Sequence, residues 1–105
     1  MTRALIAAAL LALLVPASAG PANSERAVKR VSVFSDYFSP RAITVSRGTK
    51  VVWTVRDDVH NVRGRGLSSP NLVEGRSYSK KFVKRGTYRY VCTLHSGMGG
   101  KVTVR

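Results

Sequence analysis

The chain is 105 residues long, which allows one domain and no second core. Its 18 Lys and Arg against 5 Asp and Glu give a formal net charge of +13, which favours anionic partners without naming one. Cys92 is the only cysteine, so an internal disulfide is excluded, and the two histidines leave material for only one small imidazole site.

In chain order, Arg3 precedes an unbroken apolar run, Ala4 to Val15, followed by Pro16 and Ala17-Ser18-Ala19. A short cationic start, an apolar stretch and small residues at A-x-A spacing predict a signal peptide over 1–19, removed on export. The run falls short of the roughly 20 residues a spanning helix needs, so no membrane span is expected after cleavage. The predicted destination is extracytoplasmic: periplasm, cell-wall space or secreted. Residues 20–28 (GPANSERAV) read as a flexible tether, and 29–105 as the folded domain.

Within 29–105 no stretch carries helical periodicity, and short alternating runs predict strands. Val31 and Val33 alternate with polar neighbours, as do Ile43 and Val45 before a turn at Gly48. Val51, Trp53 and Val55 share a face. Glu74-Gly75 turns into a strand ending at Phe82-Val83. After Lys84-Arg85-Gly86, Tyr88, Tyr90 and Cys92 share the next face, and Val102 and Val104 point inward from the last strand. The fold class is all-β, a single-domain sandwich of about seven or eight strands. An antiparallel arrangement is expected, because parallel pairing calls for long crossovers. Residues 63–71 read as a loop with one strand fragment. Trp53, Tyr88 and Tyr90 are assigned to the core. Lys80, on the face of Phe82, is expected to run its stem over apolar surface. The cluster Lys80, Lys81, Lys84 and Arg85 reads as solvated surface with no assigned role.

The chemistry is concentrated in Cys92-Thr93-Leu94-His95-Ser96-Gly97-Met98. Residues three apart on a strand point to opposite faces, so Cys92, His95 and Met98 converge only if this segment curls into a loop. Gly97, Gly99 and Gly100 supply the freedom for that loop. Thiolate, imidazole and thioether together suit copper in a trigonal His₂Cys site with a long axial Met. The second imidazole has one source, His60, just past the Val51–Val55 run. The predicted metal ligands are therefore His60, Cys92, His95 and Met98, for one Cu(I)/Cu(II) per chain.

Over residues 29–105 the sequence resembles the plastocyanin/azurin family of cupredoxins, the blue type 1 copper proteins. Phe38-Ser39-Pro40, Ile43-Thr44-Val45, Gly48, Val51 and Trp53 resemble the family's opening. His60-Asn61-Val62 resembles its first-histidine motif, and Gly86-Thr87-Tyr88-Arg89-Tyr90-Val91-Cys92 its strand into the copper loop. The short Cys-x-x-His-x-x-Met loop is similar to that of pseudoazurins and amicyanins. The resemblance implies an eight-strand Greek-key sandwich and a one-electron carrier role. It makes His60 the buried imidazole and His95 the one whose edge reaches the surface, framed by Leu94 and Met98. It also implies that the Asn61 N–H bonds the Cys92 sulfur while its side chain ties the ligand loops together through Thr93. The chain departs from the family at Leu94 and Ser96, where members often carry Pro, and at Val55, where an Asn is common.

The expected function is that of an exported electron shuttle exchanging electrons by outer-sphere transfer through His95. Its redox partner is expected to have an acidic docking surface, and the protein to be a monomer. The alternative is an extracytoplasmic copper-binding or delivery protein without electron traffic, which shares the site but ordinarily uses open, Met/His-rich ligand sets. An enzyme is not expected, since the copper oxidases and reductases of this fold need further histidines. Structural zinc is disfavoured by the thioether. Nucleic acid is not expected either, because no recognition motif accompanies the charge.

Overall fold

The computed structural model describes residues 27–105. The expected signal peptide (1–19) and most of the expected tether lie outside the described residues. The first strand, β1 (Val28–Phe34), begins at the last tether residue, Val28, which is already paired with Lys50.

Eight further strands follow: β2 (Tyr37–Ser39), β3 (Ala42–Val45), β4 (Thr49–Val55), β5 (Arg63–Gly64), β6 (Leu67–Ser68), β7 (Ser77–Phe82), β8 (Gly86–Val91) and β9 (Gly99–Val104). The described residues contain no helix. Seven of the strands are three residues or longer, as the alternation predicts. The other two, β5 and β6, form a two-residue hairpin in the segment read as a loop with one fragment. Gly66, with φ at 74°, makes that tight reversal possible.

The strands form two sheets, ordered β2-β1-β4-β7 and β3-β9-β8-β5-β6, which pack as a Greek-key sandwich. Pairing differs from the antiparallel expectation at two places: β1 runs parallel to β4, and β3 parallel to β9. Between each parallel pair the chain passes through the opposite sheet, by β3 between β1 and β4 and by β4 and β7 between β3 and β9, so no helical crossover is needed.

Alternation sets the interior. Val31 and Val33 from β1, Val51, Trp53 and Val55 from β4, Phe82 from β7, and Val102 and Val104 from β9 are all buried. Trp53 ties the sheets together, its ring lying edge-on to Tyr90 at 5.3 Å and to Phe82 at 6.4 Å. Truncating an aromatic of this kind costs on the order of 3–5 kcal/mol. Tyr88 is half-buried against the same cluster. Lys80 is half-buried opposite Val51, and its ammonium reaches the Gly66 turn, so its stem covers the core edge as expected.

Two groups in this interior are unusual. The Trp53 Nε1 and the Tyr90 hydroxyl are buried without a well-formed hydrogen bond. Burial raises the Tyr90 pKa above its ordinary value, with the Trp53 indole acting in the opposite direction. Gly100 makes room for this ring, since a Cβ there would stand 2.5 Å from the Tyr90 Cζ.

Candidate metal centre

β8 and β9 are antiparallel neighbours that end together at Val91↔Gly99, and the segment between them closes one end of the sandwich. The loop is held by its own backbone: the Cys92 N–H donates to the Met98 carbonyl at 3.0 Å, and the Met98 N–H to that of His95 at 3.3 Å. Gly97 supports the turn at φ 77°. This is the curl that the three-residue spacing demands. Cys92 is 3% exposed and Met98 2% exposed.

His60 arrives from the other sheet. After β4 the chain turns through Asp57 and Asp58, and His60 forms an isolated antiparallel bridge with Leu72, each N–H donating to the other's carbonyl. The histidine is fully buried, and its Nδ1 lies 3.8 Å from the Cys92 sulfur. The His60 and His95 rings are 4.5 Å apart, tilted by 31°. One donor atom each from His60, Cys92 and His95 fall within 4.8 Å of one another.

These distances fit a metal. Bonds of about 2.0 Å to nitrogen and about 2.3 Å to sulfur, set at 120°, place the two donor atoms about 3.7 Å apart. The observed 3.8 Å between Nδ1 and the sulfur is close to that value. A buried thiol facing two imidazoles, with a thioether buried at the end of the same loop, is a donor set suited to copper.

His95 is the partly exposed member, its side chain 21% accessible, with Nε2 3.0 Å from the Val59 carbonyl oxygen. The apolar surface around it differs from the expected pair. Leu94 and Val59 are exposed there, whereas Met98 is buried beneath the loop. Arg41 lines the same shallow groove as His95 and Ser96.

Asn61 links the two ligand-bearing segments through its side chain. Its Nδ2 donates to Thr93 Oγ1 at 2.8 Å, and its Oδ1 accepts from the Thr93 N–H at 2.9 Å. The implied bond from the Asn61 N–H to the sulfur is not among the hydrogen bonds of the described residues. The amide side chain makes the connection instead. Sequence reasoning missed a third partner, Asn71, whose Oδ1 accepts from Nδ2 at 3.0 Å. It also missed Asp57, whose Oδ1 lies 3.9 Å from His60 Nε2 while accepting from Ser35 Oγ. Nothing in the sequence marks Asn71, ten residues on, as a partner of Asn61, whereas Asp57 stands only three residues before His60.

Comparison with known proteins agrees with this geometry. A family model described as a cupredoxin-like domain matches residues 4–104. Amicyanin-alpha of Methylorubrum extorquens is 33% identical, covering 97% of this chain and 98% of its own length. Plastocyanin of Scenedesmus fuscus is 32% identical over 64% of this chain and 83% of its own. Among solved structures, an amicyanin variant in its reduced state superposes with a TM-score of 0.70 at 31% identity, covering 74% of this chain and 82% of that one. With its sandwich, its Cys-x-x-His-x-x-Met loop and these relatives, the chain belongs to the blue-copper cupredoxin family.

Proposed function

We propose that this protein is an exported one-electron carrier whose copper is held by His60, Cys92, His95 and Met98. The observation that carries the reading is the convergence of His60, Cys92 and His95 donor atoms within 4.8 Å at one end of the sandwich. Bound copper supplies the one-electron couple.

The protein's residues do the rest. His60 and Cys92, held by separate sheets and buried, keep their donor atoms in place whichever oxidation state is present, so little rearrangement accompanies each transfer. The Asn61–Thr93 bonds fix the spacing between the two segments. The Cys92–Met98 backbone bond sets the reach of the thioether. His95 provides the route outward, since its ring edge is exposed beside Leu94 and Val59, where a partner can exclude water and approach closely. Transfer is outer-sphere through that edge. The redox partner is proposed to be a protein with an acidic docking surface, drawn by the net charge and met by Arg41 beside the loop. Residues 1–19 are proposed as the cleaved export signal, the carrier working as a monomer outside the cytoplasm.

The test is a visible spectrum taken as Cu(II) is added to the purified protein and to its Cys92→Ser variant. An intense thiolate-to-copper band that ascorbate bleaches, absent from the variant, is the expected result. A colourless product from the unmodified protein would overturn the ligand assignment.

A further inference from the structure

Among the described residues the acidic side chains are gathered at one end of the strands, while the cations are spread over both. All four carboxylate side chains of the described residues lie at the end that carries the metal centre. Asp57 and Asp58 flank the histidines, Asp36 sits in the β1–β2 turn, and Glu74 precedes β7. The opposite end is built from the start of β1, the β3–β4 turn, the β7–β8 turn and the end of β9. It exposes Arg47, Lys50, Lys81, Lys84, Arg85 and Arg105. Among the described residues, none of these cations pairs with a carboxylate.

The arrangement costs the fold something. Lys50 and Lys81 stand directly opposite each other in the β4–β7 register, and like charges so placed are destabilising. Among the described residues neither lysine has a carboxylate partner, and an external layer of anions would relieve the repulsion.

The apolar residues at this end indicate what kind of layer. Val83 is 68% exposed at the tip of the β7–β8 turn, immediately before Lys84 and Arg85. Val28, the cross-strand partner of Lys50, is exposed as well. Aliphatic side chains projecting among cations, on a turn tip and a strand end, suit a headgroup layer: the cations meet phosphates, and the valines meet the acyl boundary. The first strand, β1, also begins at this end, at Val28.

We propose that this basic end docks on an anionic lipid bilayer and so turns the His95 end toward the aqueous space. A carrier held this way diffuses in two dimensions while its electron-transfer edge stays open to partners. The proposal is independent of the copper ligands, because it concerns the opposite end of the sandwich.

The test is co-sedimentation of the protein, as isolated from the cell, with vesicles of phosphatidylcholine alone or mixed with phosphatidylglycerol. Two triple variants carry equal net charge: Lys81→Gln/Lys84→Gln/Arg85→Gln at the basic end, and Arg41→Gln/Arg76→Gln/Arg89→Gln elsewhere. With each cation near an anionic surface contributing its usual increment, the first triple lowers binding to mixed vesicles about a hundredfold and the second about threefold or less. Hydrogen exchange of the unmodified protein on mixed vesicles supplies a second reading, with new protection expected at residues 83–86 and 46–48. Equal weakening by both triples would reduce the effect to net charge and overturn the proposal. Protection centred on Leu94 and Ser96 would do the same, as would binding no tighter to mixed vesicles than to phosphatidylcholine.

Discussion

Asn61→Ala removes three hydrogen bonds at once, and its cost can be worked from the structure. The lost bonds are Nδ2 to Thr93 Oγ1 at 2.8 Å, Nδ2 to Asn71 Oδ1 at 3.0 Å, and the Thr93 N–H to Oδ1 at 2.9 Å. At about 1 kcal/mol net for each bond, the copper-free protein loses about 3 kcal/mol. For a domain of this size that lowers Tm by about 15 °C. Thr93→Val removes only the hydroxyl acceptor and costs about 1 kcal/mol. Because both substitutions delete the same Nδ2–Oγ1 contact, the double variant is less destabilised than the sum, by about 1 kcal/mol. Urea unfolding of the four copper-free proteins measures these values, and chelator competition measures copper affinity, expected to fall about 10- to 100-fold in Asn61→Ala. An Asn61→Ala cost well under 1 kcal/mol, or strict additivity with Thr93→Val, would refute the idea that this side chain holds the two ligand segments together.

Two further outcomes follow from the Tyr90 ring. Gly100→Ala drives a methyl to 2.5 Å from Cζ and the hydroxyl oxygen, so urea unfolding should show a loss of about 1–3 kcal/mol; wild-type stability would mean the ring is free to move aside. Tyr90→Phe deletes a buried hydroxyl that lacks a partner, leaving stability at neutral pH unchanged or higher by up to about 1 kcal/mol. Its pH dependence has a definite sign. Burial, the main cause, raises the native pKa above the ordinary 10.0, so the folded protein holds this proton more tightly than the unfolded chain does. That contribution is complete below pH 10.0 and is lost as the pH climbs toward the raised native value. Urea unfolding of the two proteins across that range should therefore show the parent losing stability faster than the variant; curves that stay parallel would contradict it.

How much of this was legible depended on whether the information was local. Strand faces follow from period-two alternation, so the inward residues of β4 and β9 could be read directly. Alternation names a face but not a neighbour, and a strand looks the same whether its partner runs parallel or antiparallel; the β1–β4 and β3–β9 pairings were hidden for that reason. The copper loop could be read because Cys92, His95 and Met98 fall within one short segment whose spacing makes sense only when curled. His60 was found by elimination, as the only other imidazole. The contacts of Asn71 with Asn61 and of the Val59 carbonyl with His95 join segments that no spacing records, while Asp57, three residues before His60, was close in sequence but carried no motif. The gathering of the acidic side chains at one end was equally invisible, since it depends on which turns share an end.

The parallel pairing of β3 with β9 has a consequence for the order of assembly. Ala42 and Lys101 are about sixty residues apart, yet among the described residues β9 is the only strand that β3 pairs with. Joining segments so distant makes folding slow, in the range of milliseconds to seconds. The same late strand anchors the far side of the Cys92 loop through Val91↔Gly99. Until it docks, β3 is cut off from the rest of its sheet and the thiol loop has one side unanchored, leaving a stalled chain open to oxidation at its single sulfhydryl. The loop that carries Cys92, His95 and Met98 therefore gains its second anchor only when this distant strand docks.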